Sequence, residues 1–390
     1  MIAGVEIENF TAFGSLQLSL SPRVNVVIGS NGTGKTHLLK AIYGLALAGL
    51  PVSADRSAKE VAADISRKLL RLFSPEESRI GVLRASGANP STRLSLVSSD
   101  ETRVTISFGS RSQAVQTKVD SGGPGHELQP VFIPTKEVLS LVRGMRHPDH
   151  DRATVEMIFD DSYIDLAELL VRPGFEDEAS SLDEDPRLSS VVRELVDLVG
   201  GRYRWTSEGA FRFEPGRYEE KADPARSKSK AAQAYQDSTV TRFVPKGEHS
   251  LSSGMTAEGY RKIGVLHRLL SNGSISPGTT GVLLWDEPEA NLNPKLMKKL
   301  VQVLLELSRN GQQIVLATHD YVLLKWLDLL IDKGKDDHVR FHALYRDPDS
   351  QKLAVESADS YSLISKSAIS DTFAELFDED VARALGGAKP

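Results

Sequence analysis

One eight-residue segment contains the residue types that hold a polyphosphate. It is rich in glycine, ends in Lys35 and Thr36, and matches the pattern G-x-x-x-x-G-K-[ST] in full. Glycines allow backbone N–H groups to turn onto phosphate oxygens, the lysine bridges the β- and γ-phosphates, and the threonine hydroxyl is a ligand for Mg²⁺. The segment therefore predicts a site for a nucleoside triphosphate with magnesium. Its members are Gly29, Ser30, Asn31, Gly32, Thr33, Gly34, Lys35 and Thr36.

A pair of carboxylates, Asp286 and Glu287, follows a short apolar run at residues 281–285. In α/β sheets, ligands bind at the carboxyl ends of the strands. At such an end the chain can turn so that Asp286 reaches the Mg²⁺ ion while Glu287 reaches a water in line with the γ-phosphate. We therefore expect Thr36 and Asp286 to be the metal ligands and Glu287 to be the catalytic base.

His319 follows the next buried strand candidate, residues 314–317. A histidine at the end of a strand beside the acidic pair could bind the γ-phosphate and orient the attacking water, because its charge and hydrogen bonding change near neutral pH. Lys35, Glu287 and His319 are the predicted catalytic residues.

The elements that must position these residues read as an α/β fold. Residues 24–28 form a nearly continuous apolar run, typical of a strand buried on both faces, and residues 36–47 follow with helical spacing. A helix is predicted at 294–307, between the strand that precedes Asp286 and Glu287 and the strand that precedes His319. Further strands are predicted at 2–7, 16–20, 92–97, 102–108 and 131–133, and further helices at 164–170, 188–199 and 257–270.

The charge balance changes between residues 146 and 248. Residues 147–199 hold 4 basic and 15 acidic residues, whereas residues 200–247 hold 10 basic and 6 acidic residues. This change, with a predicted hairpin at 203–213 and a polar loop at 217–230, predicts an inserted α+β domain. We expect lobe one at 1–145, the inserted domain at 146–248 and lobe two at 249–390.

The composition excludes several classes of protein. The chain has 390 residues, no cysteine and a net charge of 47 − 53 = −6, so disulfides, thiolate metal sites and a cysteine nucleophile are excluded. No apolar run is long enough for a membrane helix, which excludes an integral membrane protein. Glu6 and Glu8 stand where a signal peptide would be basic or apolar, so a cytoplasmic location is expected. Any contact with DNA requires a local basic patch.

Together these motifs resemble the ABC-type ATPases, in the branch that includes RecF, Rad50 and the OLD-like AAA-15 and AAA-21 groupings. Residues 286–294 resemble the Walker B motif and D-loop of this branch, residues 318–320 its H-loop, and residues 9–14 its opening strand turn. The resemblance implies a P-loop NTPase fold with an ABC-type mixed sheet and helices. It also implies that the chain binds ATP with Mg²⁺ and hydrolyses it to ADP and phosphate. Bacterial members are commonly stand-alone or anti-phage defence ATPases.

The signature motif of that family, L-S-G-G-Q, has two candidates in this chain. Residues 251–255 share more residue types with the motif. Residues 256–262 stand directly before an apolar helix and are preferred. The preferred segment places Ala257 where the family has serine, so Gly259 N–H and the helix dipole would supply most of the phosphate contact beside Glu258. After the strand at 131–133 there is no glutamine, and Glu137 is the candidate for the Q-loop position.

The resemblance implies a homodimer in which the signature helix of one copy completes the phosphate loop of the other around ATP. ATP binding would close this dimer and hydrolysis would release it, which makes a nucleotide-driven switch. Such a switch would control a separate effector protein or DNA in anti-phage defence or DNA repair. The alternative is an ATP-holding scaffold that sequesters an effector or toxin with little turnover, which Ala257 favours. A transporter motor is a third and weaker possibility.

Three other clusters are interpreted as structural. The histidines and aspartates at 147–151 lack the spacing of a metal site on a helix and predict a solvated loop. The acids Asp347 and Asp349 flank a proline and predict a turn. Basic residues within 217–230 are diluted by acids, so DNA contact there is the weaker interpretation.

Overall fold

The computed structural model describes residues 1–50, 56–85, 91–120, 128–174, 186–222, 239–247 and 249–385. The strands are β1 (Ile2–Phe10), β2 (Phe13–Ser19), β3 (Val24–Ile28), β4 (Ser91–Ser98), β5 (Arg103–Gly109), β6 (Gln116–Asp120), β7 (Val131–Ile133), β8 (Gly201–Trp205), β9 (Phe211–Ala222), β10 (Thr239–Pro245), β11 (Leu251–Ser252), β12 (Leu283–Asp286), β13 (Ile314–Thr318), β14 (Val339–Arg346) and β15 (Leu353–Ala358). The helices are α1 (Lys35–Gly49), α2 (Ala58–Phe73), α3 (Val142–Met145), α4 (Arg152–Ile158), α5 (Asp161–Leu170), α6 (Pro186–Val199), α7 (Glu258–Ser271), α8 (Pro294–Arg309), α9 (Tyr321–Leu330) and α10 (Ala368–Ala384).

A six-stranded mixed sheet forms the centre of the molecule, in the order β15-β14-β3-β13-β12-β7. The strands from β14 to β7 pair in parallel, and β15 pairs antiparallel with β14. Every residue of β3, β12 and β13 is buried, as expected for apolar strands covered on both faces. Because parallel strands end at the same edge, the segments that follow β3, β12 and β13 meet there.

Successive residues of the central strands contribute to two different cores. Val26 and Trp285 belong to the core that contains α5 to α9, whereas Val27 and Leu284 belong to the core that contains α1 and α2. This alternation follows from the period of two in a strand. The second core is closed by an antiparallel sheet in the order β2-β1-β4-β5-β6. The α/β fold with a mixed sheet, predicted from the sequence, is confirmed.

The segment 146–248 contributes helices and a small sheet. Helices α5 and α6 and the buried side chain of Tyr203 pack into the same core as α7 and α8. The hairpin β8–β9 is confirmed, and its turn contains Gly209 with φ +71°. The three-part division at 145/146 and 248/249 stays a prediction.

The predicted loop at 217–230 is wrong where the structure describes it. Residues 217–222 continue β9 and pair antiparallel with β10, in register from Thr239 opposite Ala222 to Pro245 opposite Gly216. The sequence does not reveal this strand because its mostly charged residues show no alternation of apolar and polar side chains. The ring contact between Tyr218 and Phe243 joins β9 to β10, so it exists only once the two strands have paired. Residues 223–230 lie outside the described residues.

Capping residues explain where the helices next to the strand ends begin. Asn293 accepts a hydrogen bond from Lys295 N and precedes Pro294 at the first turn of α8, and Asp320 accepts one from Leu323 N at the start of α9. Among the helices within the described ranges, none has the length and apolar character that crossing a bilayer requires.

Candidate nucleotide site

The glycine loop connects β3 to α1 as predicted. Gly32 and Gly34 have φ +80° and +84°, in the left-handed region that favours glycine. A Cβ atom on Gly34 would also come within 2.8 Å of the ring of Phe13. Both the dihedral angle and the close approach therefore require glycine at residue 34, immediately before the first turn of α1.

Lys35 lies against the loop that precedes it. Its Nζ donates to the carbonyl oxygen of Gly29 at 2.7 Å and to that of Ser30 at 3.2 Å. Burial lowers the pKa of Lys35, while the nearby carboxylates of Glu287, Asp286 and Glu289 oppose that shift. The ammonium is therefore held at the mouth of the loop, where a phosphate oxygen can replace a carbonyl as its acceptor.

Thr36 and Asp286 meet, although 250 positions separate them in the chain. The Thr36 hydroxyl donates to Oδ2 of Asp286 at 2.8 Å, and the Thr135 hydroxyl donates to the same oxygen at 2.9 Å. Burial raises the pKa of Asp286, against the lowering by these two hydrogen bonds. The other oxygen, Oδ1, is buried without a hydrogen-bond partner.

These residues fit a magnesium ion. An unpartnered buried carboxylate oxygen beside a threonine hydroxyl supplies the hard oxygen ligands that Mg²⁺ prefers, and Mg²⁺ typically takes its other ligands from water and phosphate. Thr36 and Asp286 are the residues of this chain that would hold the ion.

Glu287 lies next to His319 at the adjacent strand end. Oε1 of Glu287 is 3.0 Å from Nδ1 of His319, and the backbone of Glu287 has φ +47°. Lys262 Nζ donates to the Glu287 carbonyl oxygen at 2.6 Å, which holds this unusual backbone in place. Burial lowers the pKa of Lys262 to about 8. The structure thus brings together two of the three predicted catalytic side chains.

Glu289 forms a buried support behind this pair. Its Oε1 accepts from the Thr318 hydroxyl at 2.6 Å and lies 4.0 Å from Nδ1 of His319. Burial raises the pKa of Glu289, with the Thr318 hydrogen bond opposing that shift. Because Thr318 precedes His319, Glu289 fixes the backbone that carries the histidine.

The preferred signature segment begins α7, with Ala257 at its N-cap. Ala257 provides no side-chain cap, and Glu258 opens the first turn. A Cβ atom on Gly259 would lie 2.6 Å from the Asn291 carbonyl oxygen, so this glycine allows α7 to approach the D-loop segment. No hydrogen bond joins residues 257–259 to residues 29–36, both of which the structure describes. In the other candidate, Leu251 and Ser252 form β11.

Glu137 forms an ion pair with α7. It is buried and its Oε1 lies 2.9 Å from Nε of Arg261 on α7. The hydroxyl that reaches Asp286 from the segment after β7 belongs instead to Thr135. The sequence analysis did not assign a role in the site to Thr135, Lys262 or Glu289. Two signals were present: Thr135 has a hydroxyl shortly after a buried strand, and Lys262 is a lysine in the preferred signature segment.

Two of the three clusters interpreted as structural are ordinary turns and caps. Asp151 caps α4 by accepting from Thr154 N, and His150 Nδ1 lies 2.8 Å from the Gly144 carbonyl oxygen. Within the described ranges no three His, Asp or Glu side chains are grouped as a metal site. Asp347 accepts from Ser350 N in the turn between β14 and β15, as predicted.

Three comparisons place the chain among known proteins. Residues 24–325, more than three quarters of the chain, match the family described as "AAA domain, putative AbiEii toxin, Type IV TA system". The DNA replication and repair protein RecF of Bacillus thuringiensis (strain Al Hakam) is 45% identical over 47 residues, and that of Bacillus cereus (strain B4264) is equally similar. The match covers 12% of this chain and 12% of each RecF chain.

The fold has a counterpart among solved structures. The SMC head bound to the C-winged helix domain of ScpA is 14% identical, with a TM-score of 0.50 and coverage of 93% of this chain and 98% of that chain. At this identity the likeness concerns the fold alone. The family match over residues 24–325 shows that the chain belongs to the family described as "AAA domain, putative AbiEii toxin, Type IV TA system".

Proposed function

We propose that the chain binds and hydrolyses Mg-ATP and acts as a nucleotide-driven dimer switch that controls a separate effector protein or DNA. The observation that carries this proposal is the meeting of the Thr36 hydroxyl with Asp286 at 2.8 Å, beside an unpartnered Asp286 oxygen and the Lys35 loop. Membership of the matched family supports hydrolysis, and the match to the DNA replication and repair protein RecF supports a role in DNA repair. The resemblance of the motifs to anti-phage defence ATPases supports the alternative role in defence.

The residues of this chain divide the work of phosphoryl transfer. The loop N–H groups and Lys35 bind the β- and γ-phosphates, and a magnesium ion on Thr36 and Asp286 would neutralise charge on their oxygens. Glu287 accepts a proton from the attacking water. His319 orients the carboxylate of Glu287 and contacts the γ-phosphate. Because the backbone of Glu287 has a positive φ, the chain leaves the direction of β12 at this residue, and the Glu287 side chain lies beside His319.

A second copy would complete the site. The N-terminus of α7 has N–H groups without a side-chain cap, and residues 257–259 do not bond to the phosphate loop of their own chain. An anion at a helix N-terminus is stabilised by those N–H groups and the helix dipole. ATP bound to one copy could therefore be covered by α7 of the other copy, so that ATP becomes part of the dimer interface.

Two contacts suggest how the nucleotide state would be transmitted to segment 146–248. The hydroxyls of Tyr203 and Thr256 are 2.7 Å apart, which connects β8 to the preferred signature segment. On the other side, Lys40 of α1 donates to Asp160 at 2.7 Å, at the start of α5. A movement of either α7 or α1 would therefore displace this segment and change what it presents to a partner.

The proposal is tested by nucleotide binding, phosphate release and sedimentation of the full chain. Wild-type protein should bind ATP in millimolar Mg²⁺ and release phosphate. Two copies of it should form a dimer when a non-hydrolysable ATP analogue is present. Lys35→Ala should abolish all three, whereas Lys118→Ala, an exposed lysine on β6, should change none. Failure of wild-type protein to bind ATP would refute the proposal.

A second candidate is an ATP-holding scaffold that sequesters an effector or toxin with little turnover. Ala257 favours it, because the signature serine hydroxyl that would contact the γ-phosphate is missing. Phosphate release by wild-type protein, measured alone and with double-stranded DNA, should be compared with Lys35→Ala. Tight ATP binding with release no faster than that variant in both conditions would favour the scaffold over the switch.

A further inference from the structure

Helix α10 extends from the body of the protein with an unusual amount of exposed apolar surface. Every residue from Asp371 to Ala384 is exposed, and none of the whole helix is buried. Its attachment lies in the first half, where the Tyr361 hydroxyl is 2.7 Å from that of Ser370 and the Phe373 ring stacks on Tyr321 at 4.1 Å. The helix thus continues for about three turns beyond its last ring contact.

The exposed apolar side chains of α10 form a stripe along one face of the helix, and Asp380 lies within it. Leu376 is 60% exposed and Phe377 67% exposed, and Phe373 and Val381 complete the spacing of three and four residues. Short helices are marginal in water unless their apolar face is packed. Monomeric proteins rarely expose a contiguous patch of large apolar residues without a binding role. The stripe therefore needs a partner surface.

A groove runs along the base of this stripe. It has a volume of about 740 Å³ and is lined by Tyr321, Lys325, Tyr361, Phe373 and Leu376, among others. Two of its lining residues, Tyr321 and Lys325, belong to α9, which begins two residues after His319. The groove and the stripe together give one side of a helix–helix interface.

The charge of α10 indicates which kind of helix would occupy this surface. The helix carries five acidic residues and one basic residue. Helical spacing places Asp378 and Glu379 on the two borders of the apolar stripe, and Asp380 lines the groove. A second copy of α10 would bring like charges together, which opposes self-pairing. A basic amphipathic helix would instead pair its cations with both acidic borders.

We propose that α10 and the groove at its base dock an amphipathic helix, apolar on one face and rich in lysine or arginine, from a partner protein. This inference rests on the part of the proposed function that assigns the output to a separate protein, and not on the ATP chemistry. Docking would follow the helix-in-groove mode, with apolar anchors at three- and four-residue spacing.

The test uses the full chain and two fluorescein-labelled model peptides of roughly 18 residues, or five turns. One has leucine at helical spacing with lysine elsewhere, and its twin has glutamate in place of lysine. Fluorescence anisotropy should show binding of the lysine peptide at least roughly tenfold tighter than that of its twin. Binding should weaken as ionic strength rises from roughly 50 to 300 mM, because exposed charges are screened.

Variants separate the apolar stripe from general charge attraction. Leu376→Glu with Phe377→Glu makes α10 more acidic, so a roughly tenfold or greater loss of lysine-peptide binding would come from the lost apolar anchors. Met157→Glu, which alters an 88% exposed residue on α4, is the matched control and should bind like wild type. Asp378→Lys with Glu379→Lys and Asp380→Lys should reverse the preference toward the glutamate peptide.

Four results would overturn the proposal. They are absence of peptide binding, equal binding of both peptides, equal loss in Met157→Glu, and nucleotide-free self-association that Leu376→Glu with Phe377→Glu abolishes. The last result would make the stripe an interface between copies. Far-UV circular dichroism and ATP binding of each variant should match wild type, so a failed docking test stays distinct from a failed ATP site.

Discussion

The imidazole of His319 and the carboxylate of Glu287 lie side by side, with Nδ1 and Oε1 3.0 Å apart. The two residues directly follow neighbouring parallel strands, β13 and β12, whose register pairs Ala317 with Asp286. This pairing fixes the direction of the candidate base, because the ring limits the rotation of the Glu287 side chain. It gives a positioning role to His319 in addition to the predicted contact with the γ-phosphate.

Substitution of this pair should lower turnover without removing ATP binding. Glu287→Gln should reduce phosphate release by roughly 10²- to 10⁴-fold, the usual contribution of a general base, and should trap the closed dimer on ATP. His319→Ala should reduce it by roughly 10²-fold through misplacement of the base. The control is His249→Ala, an exposed histidine, which should behave like wild type. Unchanged hydrolysis by Glu287→Gln would exclude Glu287 as the base.

Thr135 should set the affinity for magnesium by holding Asp286. Thr135→Val keeps the shape of the side chain but removes the hydroxyl that donates to Asp286 at 2.9 Å. Loss of such an outer-shell hydrogen bond typically weakens metal binding by roughly 10- to 100-fold. Binding of a fluorescent ATP analogue should be titrated with Mg²⁺ for this variant and for Thr279→Val, whose hydroxyl is exposed. Equal half-saturation in both variants would refute the role of Thr135.

Lys68 should be essential for the stability of the contact between α2 and α5. Its Nζ lies 2.6 Å from Asp161 and 3.0 Å from Asp165, and all three side chains are largely buried. Lys68→Met leaves Asp165 without its cation and Asp161 with Arg71 alone, whose Nε lies 2.9 Å away, so the free energy of unfolding should fall by about 3 kcal/mol. Urea unfolding should show less than about 0.5 kcal/mol for Lys118→Met, because the exposed Lys118 pair contributes little. A similar loss in both variants would contradict this prediction.

His342 should make the fold sensitive to acid. It is fully buried, and burial lowers its pKa to about 4 from an ordinary value of 6.5. As the pH falls from about 6.5 to about 4, the unfolded chain takes up a proton that the folded chain does not, so folding loses about 3 kcal/mol in total. Above about pH 6.5 the ring is mainly neutral in both the folded and the unfolded chain, so its protonation changes the free energy of unfolding little.

Urea unfolding at pH 7 and pH 5 provides the measurement for His342. His342→Gln cannot gain this proton, yet it can keep a hydrogen bond to Ser357, which lies 2.8 Å from the histidine Nδ1. The variant should lose about 2 kcal/mol less than wild type between the two pH values. Parallel losses in the two proteins would show that His342 does not titrate as expected.

The phosphate loop could be predicted from the sequence because its determinants are local. The apolar run of β3, the glycines at φ +80° and +84° and the start of α1 are all consecutive in the chain. The same holds for β12 and its two acids. By contrast, residues 217–222 have the polar pattern of a loop and form a strand because they pair with β10, which lies in a separate segment.

Neighbouring residues are enough to predict the strand, loop and helix of the phosphate site, the acids Asp286 and Glu287 after β12, and His319 after β13, because each motif is contiguous in the chain. Other contacts of the site emerge only in the folded chain: Thr36 and Thr135 share Asp286, Glu289 supports His319, and Glu137 pairs with Arg261. These contacts join residues far apart in the chain. They depend on the strand order β3-β13-β12-β7, which local patterns do not encode because it is fixed by packing on both faces of the sheet.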